Sequence, residues 1–165
     1  MGRRYANDTS VSVAKSRGEI EKLLRAWGAR QMQWSDDFDG GKAMLRFIWD
    51  NDGTQYTARF EVDVQTAAEI KEEAVHATTG RFLQAKYDKA MERRGMVEHR
   101  ELALLLKAIF VAVERGLITA EQVFLPFLED QYGFTVSDRV LPGLAKMLKK
   151  GGTKNLLTMF AGEGS

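Results

Sequence analysis

Residues 43–64 read Ala43-Met44-Leu45-Arg46-Phe47-Ile48-Trp49-Asp50-Asn51-Asp52-Gly53-Thr54-Gln55-Tyr56-Thr57-Ala58-Arg59-Phe60-Glu61-Val62-Asp63-Val64. Ala43, Leu45, Phe47 and Trp49 alternate with Met44, Arg46 and Ile48, which assigns the first set to one face of a strand. Tyr56, Ala58, Phe60, Val62 and Val64 alternate in the same way with Thr57, Arg59, Glu61 and Asp63. Asp52-Gly53 between them signals a two-residue hairpin, whose central positions both need positive φ. Upstream, Arg30 to Ser35 alternates again, with Met32 and Trp34 on one side, and Asp39-Gly40-Gly41 suits a looser turn. The stretch therefore predicts a three-stranded antiparallel meander with one apolar face that helices must cover.

Helical periodicity surrounds this meander. Ile20, Leu23, Leu24 and Trp27 share one face of a first helix, with Gly28 as its stop. Ser16 with Glu19 forms a capping box at its start, and Ser12 offers a cap one turn earlier. Thr66 with Glu69 is a second capping box, for a helix expected to reach Thr79. A long helix is expected from about Arg81 to Arg115, with an interruption at Gly95, a buried apolar run from Leu102 to Val113, and a stop at Gly116. Thr119 caps a helix that Pro126 kinks or ends early. Ser137 is expected to cap the last helix, with Pro142 delaying its start. The fold class is α+β: an N-terminal helix, a three-stranded antiparallel β-meander and a helical C-terminal half. Residues 1–165 read as one domain, with residues 1–11 and 158–165 flexible.

Composition narrows the classes of function. Of 165 residues 44% are hydrophobic and 28% charged, an ordinary globular balance. There is no cysteine, so disulfides and thiolate metal sites are excluded. No apolar run approaches the roughly 18 residues of a membrane span, and Met1 to Tyr5 lacks the apolar start of a secretory signal. A cytoplasmic protein without membrane contact is expected. Net charge is +1, which argues against a surface built throughout to bind nucleic acid.

Chemical motifs are sparse. Glu73 and His76 make one E-x-x-H spacing, whereas a di-metal bundle needs two such pairs. His99, between Glu98 and Arg100, reads as an ordinary polar residue. Asp36, Asp37 and Asp39 before Gly40, and Asp50 and Asp52 before Gly53, are partial calcium-loop patterns without the distal glutamate. In a meander these turns lie at opposite ends of the middle strand, about 30 Å apart, so they cannot share an ion. Turn chemistry accounts for both. There is no nucleophile elbow and no phosphate-binding loop. No cofactor, metal site or catalytic residue is expected.

One stripe remains. Lys86, Lys89, Arg93 and Arg100 fall close to one helical line, with Arg81, Phe82 and Tyr87 nearby. Such a stripe can track a phosphate backbone or contact a protein partner, although Asp88, Glu92 and Glu98 are interleaved. A second cluster, Lys146, Lys149, Lys150 and Lys154, sits where a helix C-terminus favours cations anyway. Leu156, Leu157, Met159 and Phe160 form an apolar tail that docks on its own domain or on a partner.

The run from Ser10 to Glu21, ending in Trp27-Gly28-Ala29, resembles the opening of a family of uncharacterised phage and prophage proteins. The resemblance continues through Arg100 to Ile109, Val113-Glu114-Arg115-Gly116, Phe124-Leu125 and Tyr132-Gly133-Phe134-Thr135-Val136. These motifs keep their order across residues 9–157. The resemblance implies a viral or prophage origin and the cytoplasm of an infected host cell, and it implies no activity. The chain departs from that family in its third strand. Members often carry an arginine-rich strand with a proline-containing end, whereas Thr57 to Val64 holds one arginine, two acids and no proline.

Two functions are expected to compete. The first is a phage accessory protein that binds a protein partner, a host or defence factor that it inhibits or modulates. The second is a nucleic-acid-binding protein of phage DNA replication or recombination, with DNA or RNA as partner. Homo-oligomerisation is compatible with either.

Overall fold

The computed structural model of the chain describes residues 9–51, 53–146 and 149. Helix α1 (Val13–Trp27) leads into strands β1 (Gln31–Asp37), β2 (Lys42–Asn51) and β3 (Thr54–Asp63). Helices α2 (Ala67–Glu73), α3 (Gln84–Arg93), α4 (Met96–Glu114) and α5 (Ala120–Phe124) follow, then a 3-10 turn (Leu125–Phe127). Residues 136–146 form α6. The architecture is α+β, with the helix, meander and helical second half that the sequence predicts.

The sheet is antiparallel with order β1-β2-β3. Asn51 pairs with Thr54, which leaves the two-residue loop that Asp52-Gly53 signals, with Gly53 at φ 80°. Asp52 lies outside the described residues. Leu45 pairs with Phe60 and Phe47 with Ala58, so the apolar sets of β2 and β3 share one face. Trp34 and Met32 of β1 meet Leu45 and Phe47 on that side. The other face carries Arg46 and Arg59, directly paired.

α1 and α4 pack against each other and cover the apolar face. At its centre Phe124 is fully buried. Its ring lies 5.2 Å from Trp27 and 5.7 Å from Phe47, with Trp49, Phe60 and Phe110 completing the shell. Burying such a side chain contributes about 1.5–3 kcal/mol.

Local signals resolve in particular ways. Of the two caps open to α1, Ser12 is used: its Oγ accepts from Lys15 N at 3.2 Å. Ser16 instead joins Ile20 and Leu24 on the buried face, because positions four apart share a side of the helix. The Thr66–Glu69 capping box forms, but α2 stops at Glu73 rather than near Thr79. Val75 leaves the helix to pair with Phe82, closing the 76–81 turn through His76 N and the Arg81 carbonyl. The expected long helix is cut at Gly95, whose φ of 74° no continuous helix accommodates. α5 ends at Phe124, just before Pro126, which cannot donate to a helical carbonyl.

Ser137 is not the last cap. Thr135 takes that place, since its Oγ1 accepts from Asp138 N at 3.1 Å while Asp138 accepts from Thr135 N at 2.9 Å. Pro142 lies inside α6 and does not delay it. Of the ends expected to be flexible, residues 1–8 and 158–165 lie outside the described residues, as does the apolar tail at 156–160.

Candidate partner-binding surface

After the 3-10 turn the chain crosses the edge of β3. Leu128 bridges Ala58, and Glu129 N donates to the Thr57 carbonyl at 2.9 Å. Glu129 then reaches under the outer face of the sheet. Its side chain is only 6% exposed, and Arg46 grips it through two hydrogen bonds at 2.6 and 2.8 Å. Arg59, 3.6 Å from the same carboxylate, donates onward to the Gly133 carbonyl at 2.9 Å and to Asp138 at 2.8 Å. Two arginines of the sheet thus hold the segment that follows.

That segment is a braced turn. Asp130 accepts from Tyr132 N at 2.8 Å and from Phe134 N at 3.0 Å, so one carboxylate orders two amides. Arg139 of α6 donates to the other Asp130 oxygen and lies 4.2 Å over the Phe134 ring. The Arg139 guanidinium, ahead of the two amides, holds the Asp130 carboxyl below its ordinary range. Asp138 is likewise lowered, first by the Thr135 amide and hydroxyl and then by Arg59.

The turn presents apolar groups to solvent. Tyr132 is 71% exposed and Phe134 about half, as are Val140 and Leu141 on α6. Phe134 lines a pocket of about 200 Å³ with Leu128, Val136 and Arg139. Small-molecule sites run to about 300–1,000 Å³. This one has room for a single side chain. Aromatic residues and arginine at the centre of such a patch are the types that dominate binding energy.

The residues singled out in the sequence are dispersed. Lys86, Lys89 and Arg93 are exposed on α3, which buries no residue, and Arg81 is exposed in the turn before it. Tyr87 packs its ring 5.8 Å from Phe82. Lys86 Nζ donates to the Glu73 carbonyl. Arg100 lies beyond the Gly95 break, on α4, and pairs with Glu19 of α1 at 2.5 Å. The structure therefore brings three cations onto one short helix and leaves Arg100 elsewhere.

Glu73 and His76 share no helix. Glu73 accepts from Gln65, and His76 Nδ1 accepts from the Thr78 and Thr79 amides. Among the described residues no group of three or more possible metal-ligating side chains assembles. The acidic turns are occupied internally: Asp36 binds Arg17 at 2.7 Å, Asp50 binds Arg30 at 2.5 Å, and Asp37 caps the amides of Asp39 and Gly40.

Besides Ser16, two further polar residues, His99 and Arg94, are buried without a sequence-based expectation having marked them so. His99 is buried beneath Trp34, 5.3 Å away, rather than being an exposed polar residue. Its position, three before Leu102 and seven before Leu106, is the signal that places it on the buried stripe. Arg94 is buried too, donating to the carbonyls of Gln65 and Asp37 at 2.6 and 2.9 Å.

Among the described residues no helix is long and apolar enough to cross a membrane. In comparison with known proteins, no family model, no curated protein and no solved structure matches the chain.

Proposed function

We propose that the chain is a phage accessory protein that acts by binding a protein partner, a host or defence factor, through the 132–141 surface. The observation that carries this reading is an exposed Tyr132 and a half-exposed Phe134 on a turn whose backbone is held by Asp130, Arg59 and Arg139. A surface ordered before binding loses less conformational entropy on association, so exposed aromatics there contribute more to affinity. The origin rests on the resemblance of the Ser10–Glu21 and Arg100–Gly116 motifs.

The test is capture from host lysate by tagged protein, compared with the double variant Tyr132→Ser with Phe134→Ser. A partner retained by the wild type and lost in that variant, at unchanged melting temperature, supports the reading. A partner captured equally by the wild type and the double variant overturns this choice of surface, and no partner overturns the function.

A second reading, nucleic-acid binding in phage DNA replication or recombination, draws on the three exposed cations of α3. It requires DNA or RNA binding at low salt that weakens steeply with added salt and falls in Lys89→Glu with Arg93→Glu. No binding at low salt removes it.

A further inference from the structure

α4 is apolar on both sides. His99, Leu102, Ala103, Leu106 and Phe110 face the core. On the opposite side Leu105 is 49% and Val111 44% exposed, and Leu117 just beyond the helix is 78% exposed. Val111 and Leu117 line an open groove of about 490 Å³ with Leu104, Ala108 and Ala112, and Lys107 and Arg115 border it too. Apart from Glu101, Lys107 and Arg115 this outer side is apolar, and an exposed apolar patch of that kind marks an interaction surface. Glu101, Leu104, Ala108, Val111 and Arg115 recur at spacings of three, four, three and four, the repeat of a helix-pairing seam.

The seam is complementary to itself. Ala108 is its middle position, with Glu101 seven residues before and Arg115 seven after. Neither charge has an ion-pair partner among the described residues. A two-fold axis through Ala108 sets two α4 helices antiparallel. Each Glu101 then lies beside the Arg115 of the other copy, about 10 Å along the helix from the axis. Leu104 comes level with Ala112, a large side chain beside a small one. The alanine at the crossing lets the helices approach closely. Matching the same patch to itself under a two-fold is what a closed dimer interface requires.

We propose that the solvent face of α4 is the interface of an antiparallel homodimer of this chain, centred on Ala108 and held in register by two Glu101–Arg115 pairs. It uses a surface separate from the Tyr132 turn and stands independently of the partner-binding reading.

Sedimentation equilibrium of the full chain over a wide concentration range tests it. The mass should rise toward twice that of one chain. Glu101→Arg and Arg115→Glu, each alone, gather four like charges across the seam, and each should weaken self-association at least tenfold. Mixing the two single variants restores both pairs in trans, so a mixed dimer should recover wild-type affinity. Because each variant is its own folding control in the mixture, recovery cannot be a folding effect.

A wild-type chain that stays monomeric at the highest concentration overturns the proposal, whether its own 150–165 segment or another protein covers the face. A dimer unaffected by either charge reversal, or not regained on mixing, overturns it as well.

Discussion

His99 Nε2 accepts a hydrogen bond from Arg17 Nε at 3.1 Å, joining α4 to α1 across 82 positions of sequence. The other ring nitrogen lies 2.7 Å from the Gly95 carbonyl, and a carbonyl oxygen can only accept. Nδ1 therefore carries the proton, and the ring is neutral. Arg17 in turn binds Asp36 of β1 and lies 4.6 Å over Trp34. One cluster ties both covering helices to the sheet edge.

This arrangement predicts a stability that depends on pH. Burial, followed by the nearby Arg17 charge, lowers the His99 pKa below its ordinary 6.5, against a raising effect of the Gly95 carbonyl. The folded state thus binds a proton less readily than the unfolded chain. The contribution is complete above about pH 6.5 and is lost as pH falls from there through the lowered folded value. Melting temperatures between pH 7.5 and 5 should fall in the wild type and fall less in His99→Gln. Equal slopes would show that another group titrates.

Phe124 is the contact shared by α1, β2, β3 and α4. Phe124→Ala should lower unfolding free energy by about 3–5 kcal/mol, as large core truncations do. Urea unfolding checks this, with a midpoint shift at unchanged m-value as the expected result.

Glu129 is gripped on the outer face of the sheet, and that predicts an asymmetry. Arg46→Ala strands a buried carboxylate, with Arg59 the remaining cation at 3.6 Å. Since Arg46 is itself one-third exposed, the cost should be about 1–3 kcal/mol, below that of breaking a fully buried pair. Arg46→Ala combined with Glu129→Gln should recover part of that loss. A double variant no more stable than the single one would locate the loss in packing.

Gly95 separates α3 from α4 with a left-handed backbone, and its place beside His99 predicts intolerance of a side chain. A Cβ there would lie 3.0 Å from His99 Nδ1 and 3.1 Å from Val64 Cγ1. Gly95→Ala should cost about 1–2 kcal/mol from backbone strain, with crowding added. Hydrogen exchange should show the loss at residues 94–99 before the sheet. Uniform loss across the molecule would mean that Gly95 acts only through global stability.

Period-two alternation at 43–64, the Asp52-Gly53 hairpin and the Thr66 and Thr119 caps are local properties of the chain. They were legible because each rests on neighbours within four residues, or on the geometry of one strand. The separation of the two acidic turns is local in the same sense, since it follows from strand length alone. The stop at Gly116 and the break at Gly95, both at positive φ, are local as well.

Ser16, Arg94 and His99 were not legible as buried, because their burial depends on elements remote in sequence. The Arg46–Glu129 and Arg59–Asp138 pairs span 83 and 79 positions, so no local pattern announces them. Those pairs order the turn that presents Tyr132. The basic stripe shows the converse: helical spacing aligned Lys86 with Arg100, and a single positive φ at Gly95 moved Arg100 to another helix.

The sequence by itself therefore determined the α+β order, the register of the meander and the apolar face of the sheet, because short-range periodicity encodes them. Only the tertiary structure decided which polar groups are buried together and which apolar faces remain open to solvent. Both are properties of long-range pairing, in which a residue's environment is set by segments dozens of positions away.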